Sequence, residues 1–442
     1  MRETDFVALS AAEAAERIAR GALSAEEYAS ACLERIAAVE SDVQAFAHID
    51  REHALAQARA LDQHKANGGR IGPLHGVPVG IKDIFDTADY PTECGSPALL
   101  GRRPEADAAA VRKLREAGAV IIGKTVTTEF AYYHPGKTRN PRDLARTPGG
   151  SSSGSAAAVA AGMVPLAIGS QTNGSVIRPS AFCGVFGVKP SHGLISRSGA
   201  LMLSRKLDHV GAFARSLEDL GLILDVLVGH DPADRDSRFY ANPGFRRAVA
   251  EEPPLPPSFT LVRTPIWDKA DAEARNALEG FAKDLGAQEA DLPNDFRNAW
   301  EAHRAIMAVD MAHNLGHVVD EGGKVSEPFR AIVEEGRKVT AVQYLAAMRD
   351  ARRYGERLAS IFEQLPGGAV LTLSAKGVAP EGHASTGDPA FCTLWTLLGY
   401  PALNLPLLAN SAGLPIGVQL VGARGQDEAL LRIANRLVAK NA

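Results

Sequence analysis

Residues 149–180 read Gly149-Gly-Ser-Ser-Ser-Gly-Ser-Ala-Ala-Ala-Val-Ala-Ala-Gly-Met-Val-Pro-Leu-Ala-Ile-Gly-Ser-Gln-Thr-Asn-Gly-Ser-Val-Ile-Arg-Pro-Ser180, and their reading decides the fold. A glycine-serine loop runs straight into a helix of small apolar residues, Ser155 to Ala161. A short apolar strand, Val164 to Ile168, follows, and then a second glycine-serine loop over 169–180. Taken alone, residues 149–155 have the composition of a flexible linker or a tight turn. A linker has no reason to lead directly into an apolar helix and strand and then meet a second loop of the same kind.

The pattern continues outward. Gly72-Pro-Leu-His-Gly-Val-Pro-Val-Gly-Ile-Lys-Asp83 encloses a short strand, Val77 to Ile81, that delivers Lys82 to its end. Ala106 to Ala117 has helical periodicity, and Val120-Ile-Ile-Gly123 is an apolar strand, as in an α/β unit of a mostly buried sheet. The first 65 residues read as helices, with Ser10 and Ser24 as N-caps and Glu27 completing a capping box. Residues 140–154 read as loop, 230–258 as a surface connection, and 270–364 as mostly helical and charged. Strands and turns return around Gly399-Tyr-Pro-Ala-Leu-Asn-Leu-Pro406 and Gly413-Leu-Pro-Ile-Gly-Val-Gln-Leu-Val-Gly422, before a final helix over Asp427 to Lys440. The expectation is one α/β/α sandwich domain over 1–442, a mixed sheet covered by helices on both faces.

Composition narrows the function. With 45% hydrophobic and 23% charged residues over 442 positions the chain has ordinary globular usage. A net charge of −4 leaves no basic excess for a nucleic-acid backbone. Cys32, Cys94, Cys183 and Cys392 are scattered without a CxxC pair, so neither a disulfide framework nor a zinc site is suggested and the cytoplasm is the expected compartment. No apolar run has the length of a bilayer span. His75, His134 and His192 lie near motifs without metal-ligand spacing.

Gly150-Ser-Ser-Ser-Gly154 contains the Gly-x-Ser-x-Gly pattern of a nucleophile elbow centred on Ser152, but that motif needs a preceding strand. Asn140, Pro141, Arg142, Asp143 and Pro148 make a poor one. A P-loop is excluded because no Gly-Lys-Ser/Thr closes the glycine run. The second loop can aim successive backbone N–H groups into one concavity, the arrangement that stabilises a tetrahedral oxyanion, so Ser175 beside Gly174 is a candidate nucleophile.

Gly76-Val-Pro-Val-Gly-Ile-Lys-Asp83, Gly149-Gly-Ser-Ser-Ser-Gly-Ser-Ala156 and Gln171-Thr-Asn-Gly-Ser-Val-Ile-Arg-Pro-Ser-Ala-Phe-Cys-Gly184 together resemble the amidase signature family. All three motifs follow the family's order and spacing, and malonamidase-like members share Gln171-Thr172 and Ser175-Val-Ile-Arg-Pro179. The signature core covers about 72–200, and about 230–375 is a divergent, substrate-shaping region. The resemblance implies hydrolysis of a small carboxamide to a carboxylic acid and ammonia through an acyl-enzyme at Ser175. Ser151, after a cis Gly150–Ser151 peptide, and Lys82 would relay the proton, and the N–H groups of Thr172, Asn173, Gly174 and Ser175 would form the oxyanion hole. Lys82 must then be neutral for part of the cycle, which burial in an apolar pocket favours. Arg178 resembles the carboxylate-binding arginine of malonamidase-like members, while a brace for its loop is the favoured reading. Tyr132, Tyr133 and Gln171 are further pocket candidates.

The sequence departs from the commoner family pattern at Gln171, usually Asp, and at Asn173, usually Gly. Asn173 is expected to tolerate a left-handed backbone there. Ser152, Ser153 and Ser155 read as turn and cap residues, with Ser152 near the relay, and Cys183 reads as core. No metal or organic cofactor is called for. The expected partner is a small amide, with no nucleic acid and no membrane, and a homodimer is kept open. Two alternatives stand beside the amidase: a glutamine-dependent amidotransferase A-type subunit that passes ammonia to a partner, and a non-catalytic member of the fold. The intact Lys82, Ser151 and Ser175 set speaks against the latter.

Overall fold

The computed structural model describes residues 3–364 and 368–441. Eleven strands form one sheet: β1 (Phe46–Ile49), β2 (Pro78–Lys82), β3 (Val120–Thr125), β4 (Leu166–Gln171), β5 (Phe186–Lys189), β6 (His209–Ala214), β7 (Ser258–Arg263), β8 (Gln288–Asp291), β9 (Gly368–Leu373), β10 (Ala402–Ala409) and β11 (Pro415–Val421). Their spatial order is β1-β3-β2-β4-β6-β5-β10-β11-β9-β7-β8. Parallel pairs β2–β3 and β2–β4 on one side and β7–β9 and β7–β8 on the other flank a central antiparallel run from β4 to β9, so the sheet is mixed, as expected.

The central strands are buried along their whole length because each face meets helices. Val120 and Ile122 of β3, Ala167 of β4 and Phe213 of β6 pack with Tyr28, Cys32 and Ile36 of helix Ala25–Val43 and with Ala156–Val159 of helix Ser153–Ala160. The intervening Ile121, Leu166, Ile168, Ala212 and Ala214 point the other way, towards Val111 and Leu114 of helix Ala109–Glu116 and Leu217, Leu220 and Leu224 of helix Leu217–Leu227. The period-2 alternation of the strands thus feeds two cores, and near-continuous apolar runs are its sequence mark.

Local signals are realised at the N-terminus. Ser10 caps helix Ala11–Ala19, and Ser24 with Glu27 forms the capping box of the next helix. Three corrections are needed. β1 lies between two of the N-terminal helices, at only four residues too short to have an apolar period. Of the expected loop over 169–180, Gly169–Gln171 belong to β4 and Ile177–Cys183 form a helix, leaving only 172–176 as loop. The region 270–364 holds the long helices Asn298–Asp320 and Ala341–Glu363 but also β8, whose polar residues Gln288-Glu-Ala-Asp291 show no strand pattern because it is an exposed sheet edge.

Close backbone approach explains one glycine of the serine loop. A Cβ at Gly154 would lie 2.1 Å from the Ala45 carbonyl oxygen and 2.4 Å from the Val126 nitrogen. Only glycine lets helix Ser153–Ala160 sit this near the β3 end, which brings the preceding serines beside β2 and β4.

Candidate active site

Lys82 is the last residue of β2, and Ser170 stands near the end of the adjacent parallel strand β4. Both side chains meet the serine loop. Lys82 Nζ donates to Ser151 Oγ at 2.6 Å and to Ser170 Oγ at 2.8 Å. Ser152 supports this contact: its hydroxyl donates to the Ser170 carbonyl at 3.2 Å and accepts from the Ser170 N–H at 3.3 Å. The Gly150–Ser151 peptide is cis.

Lys82 is fully buried, and burial holds its pKa well below the ordinary lysine value, with the negative charge of Asp208 acting in the opposite sense. Asp208 is itself buried and pushed up to about 6, an effect reduced by hydrogen bonds from Thr172 and from the N–H groups of Ser204 and Leu203. Thr172 Oγ1 donates to Asp208 Oδ1 at 2.6 Å. His303 Nε2 lies 2.9 Å from the Thr172 carbonyl oxygen, and burial lowers the imidazole to about 4, so the neutral ring donates there. The loop that carries the candidate oxyanion donors is therefore held from two sides.

Ser151 and Ser175 open into one narrow cavity, lined also by Ala131, Tyr132, Tyr133, Thr172, Asn173, Arg178, Leu203 and Met307. Among the described residues, no turn or loop acceptor takes up the backbone N–H groups of Thr172, Asn173, Gly174 or Ser175. The next two, Val176 and Ile177, donate to Gln171 Oε1 at 2.8 and 2.9 Å. This changes the reading of Gln171. Its Nε2 donates to Thr396 Oγ1 at 2.9 Å, and the side chain is fully buried away from the cavity, so it caps helix Ile177–Cys183 instead of meeting substrate. Asn173 also departs from expectation, because its φ is not positive. Its Oδ1 accepts from Thr393 at 2.7 Å, and its Nδ2 lies 3.4 Å from the Tyr133 hydroxyl.

Left-handed backbone does occur at the cavity, at Phe130 (φ 47°) and Ala131 (φ 55°) just before the tyrosine pair. A non-glycine residue held there carries about 1–3 kcal/mol of strain, which the surrounding packing must overcome. The bend turns Tyr132 and Tyr133 into the cavity with ring centroids 4.5 Å apart.

Arg178 lines the same cavity while bracing two loops. Its Nη2 donates to the Gly150 carbonyl at 2.6 Å and to Thr386 Oγ1 at 3.2 Å, and its Nη1 to the Gly387 carbonyl at 2.9 Å. Nε is buried without a partner. These three bonds match the reading of this arginine as a brace for its loop. The sequence reading missed Ser170, Asp208, His303, Leu203 and Met307. Ser170 could have been found from strand alternation once β4 was extended past Ile168, whereas the others arrive from distant segments.

All four cysteines are buried and free, and no helix among the described residues is long and apolar enough to cross a membrane. Residues 27–431 match the Amidase family model. Among curated proteins, the A subunit of the glutamyl-tRNA(Gln) amidotransferase of Salinispora arenicola is 36% identical, the alignment covering 98% of this chain and 97% of that protein. The protein of the same name from Carboxydothermus hydrogenoformans is 34% identical over 97% and 96% of the two chains. Among solved structures, one from a vestigial protein complex that reveals the origins of an s-triazine catabolic enzyme superposes with a TM-score of 0.91 at 30% identity, covering 98% of each chain. A peptide amidase with bound chymostatin gives 0.85 at 29%, covering 98% of this chain and 97% of that one. The α/β fold and the motif resemblance both stand on these matches, and this chain is a member of the amidase family, hydrolases that act on carbon–nitrogen amide bonds.

Proposed function

We propose that the chain cleaves the amide of a small carboxamide by attack of Ser175 Oγ on the carbonyl carbon, forming an acyl-enzyme and releasing ammonia. Ser151 takes the proton of Ser175, and a neutral Lys82 takes that of Ser151. The leaving amine collects the proton by the reverse route, and water then repeats the sequence to free the acid. The N–H groups of Thr172–Ser175 receive the oxyanion. The observation that carries this reading is the 2.6 Å contact between a buried Lys82, depressed in pKa, and Ser151, which shares its cavity with Ser175.

The curated relatives favour glutamine as the amide, with ammonia passed to another polypeptide, over a free-standing amidase. Their name as subunits also supports assembly with a different chain over a homodimer. The cytoplasm suits a protein with four buried thiols and no disulfide. In either case Arg178, whose buried Nε has no partner, would attract a carboxylated amide into the cavity that it lines.

Ammonia release by the purified chain on glutamine, malonamate and neutral amides tests both levels. Ser175→Ala is expected to lower turnover by at least about 10³-fold while the unfolding temperature stays unchanged. Undiminished hydrolysis in that variant would end the Ser175 mechanism. Rapid hydrolysis of simple amides with none of glutamine would instead reject the amidotransferase reading.

A further inference from the structure

Away from the amide site, four cationic side chains, Lys206, Arg238, Arg352 and Arg424, share one region of the molecule. His192 N–H donates to the Gly399 carbonyl at 3.2 Å, and Arg238 N–H donates to the Gly193 carbonyl at 2.8 Å, which draws three loops together. Gly399 has a φ of 70°, and a Cβ there would lie 3.8 Å from both Nε and Nη2 of Arg424. The Tyr400 hydroxyl bonds the Gly355 carbonyl at 3.3 Å, bringing the helix that carries Arg352 to the same place. Lys206, half-buried, lies within electrostatic reach of Arg424, Arg238 and Arg352.

Among the described residues, none of the four side chains has a hydrogen-bond or ion-pair partner. The nearby carboxylates are otherwise engaged. Asp236 is held by Arg197 at 2.7 Å and Arg205 at 2.8 Å, Asp427 by Ser191 at 2.6 Å, and Glu428 by Tyr240 at 2.5 Å. Burial and then the guanidinium groups of Arg424, Arg238 and Arg352 push Lys206 down to about 8, with the Asp236 charge acting in the opposite sense. Arg424 also lines an open groove whose other walls include Phe362, Tyr400, Leu430 and Ile433, with Glu363 as its acidic member. Guanidinium forks match phosphate oxygens in pairs, and an ammonium adds a point charge.

We propose that Lys206, Arg238, Arg352 and Arg424 bind the phosphate group of a small molecule whose apolar body lies in the groove against Phe362 and Tyr400. Lys206 belongs to the segment in which Asp208 accepts from Leu203 N–H at 2.8 Å and from Thr172 Oγ1 at 2.6 Å. The bound phosphate therefore sits on the loop that supports the oxyanion segment, outside the amide cavity.

Isothermal titration calorimetry of the full chain with phenyl phosphate and with inorganic phosphate tests this. The expected result is saturable binding of one phenyl phosphate per chain, tighter than inorganic phosphate. Each of Arg352→Met and Arg424→Met should weaken it about 10-fold, the loss of a charge-assisted hydrogen bond. Both arginines are exposed, so the variants should unfold at the wild-type temperature without ligand. Absence of saturable binding to the wild-type chain, or undiminished binding in the Arg352→Met, Arg424→Met double variant, would overturn the proposal. The second result would place the anion elsewhere, for example at Arg178.

Discussion

Lys82 has hydroxyl partners on two sides and, among the described residues, no carboxylate in ion-pair contact, the setting in which a lysine can move a proton near neutral pH. Its acidic modulator is Asp208, whose charge favours the ammonium form. Asp208→Asn removes that charge, so Lys82 loses its proton more easily, and the acid limb of the kcat–pH profile should move to lower pH. A move to higher pH would contradict the assignment. The same variant carries a stability prediction. The folded-state pKa of Asp208, about 6, lies above its ordinary 3.8, so this group's contribution is complete below 3.8 and is lost as pH rises to about 6. Wild type should therefore lose unfolding temperature relative to Asp208→Asn as pH rises from about 4 to about 6, on top of a pH-independent offset from the acceptor that the amide nitrogen removes. Ser170 completes the lysine's surroundings. Ser170→Ala should lower kcat about 10- to 100-fold, the worth of one hydrogen bond to a charged group, while leaving KM unchanged. An unaltered kcat would reduce Ser170 to packing.

At the scale of elements, the helix Ile177–Cys183 begins where the candidate oxyanion loop ends, and Gln171 joins the two. One side-chain oxygen accepts the N–H groups of both Val176 and Ile177, leaving the four preceding N–H groups without loop acceptors. Gln171→Ala strands two buried donors, each costing about 1–3 kcal/mol. Urea unfolding should show a loss of that order, and kcat should fall with it as the loop loses its anchor. A stability loss under about 0.5 kcal/mol would show that water or another group replaces the cap. The local chemistry was legible in part: N-cap serines, the apolar strands and the small-residue helix follow from patterns a few residues long. The role of Gln171 was not, because its Nε2 partner Thr396 lies 225 positions away. Neither were the polar β8 and the four-residue β1, which gain their strand state from a neighbour instead of from periodicity.

Across the whole molecule, the sheet must end somewhere, and its two edges are protected differently. β1 is short and carries a register shift between Phe46 and His48. β8 is exposed and charged, with Glu289 paired to Arg263 at 2.9 Å. Such edges discourage pairing with another chain. Replacing Glu289 and Asp291 together by Val should promote self-association, measured by light scattering as a concentration-dependent mass increase. A double variant whose mass matches wild type at every concentration would show that the edge is shielded by other means. The order of Lys82, Ser151 and Ser175 along the chain, the buried strand that carries Lys82 and the family they mark were determined by the sequence itself, since each rests on short patterns and fixed spacing. Only the tertiary structure decided that Ser170 shares Lys82, that Asp208 and His303 hold Thr172, and that Gln171 turns away from the cavity. Those relations depend on which distant segments the sheet and helices bring within 3 Å, and no local propensity encodes that distance.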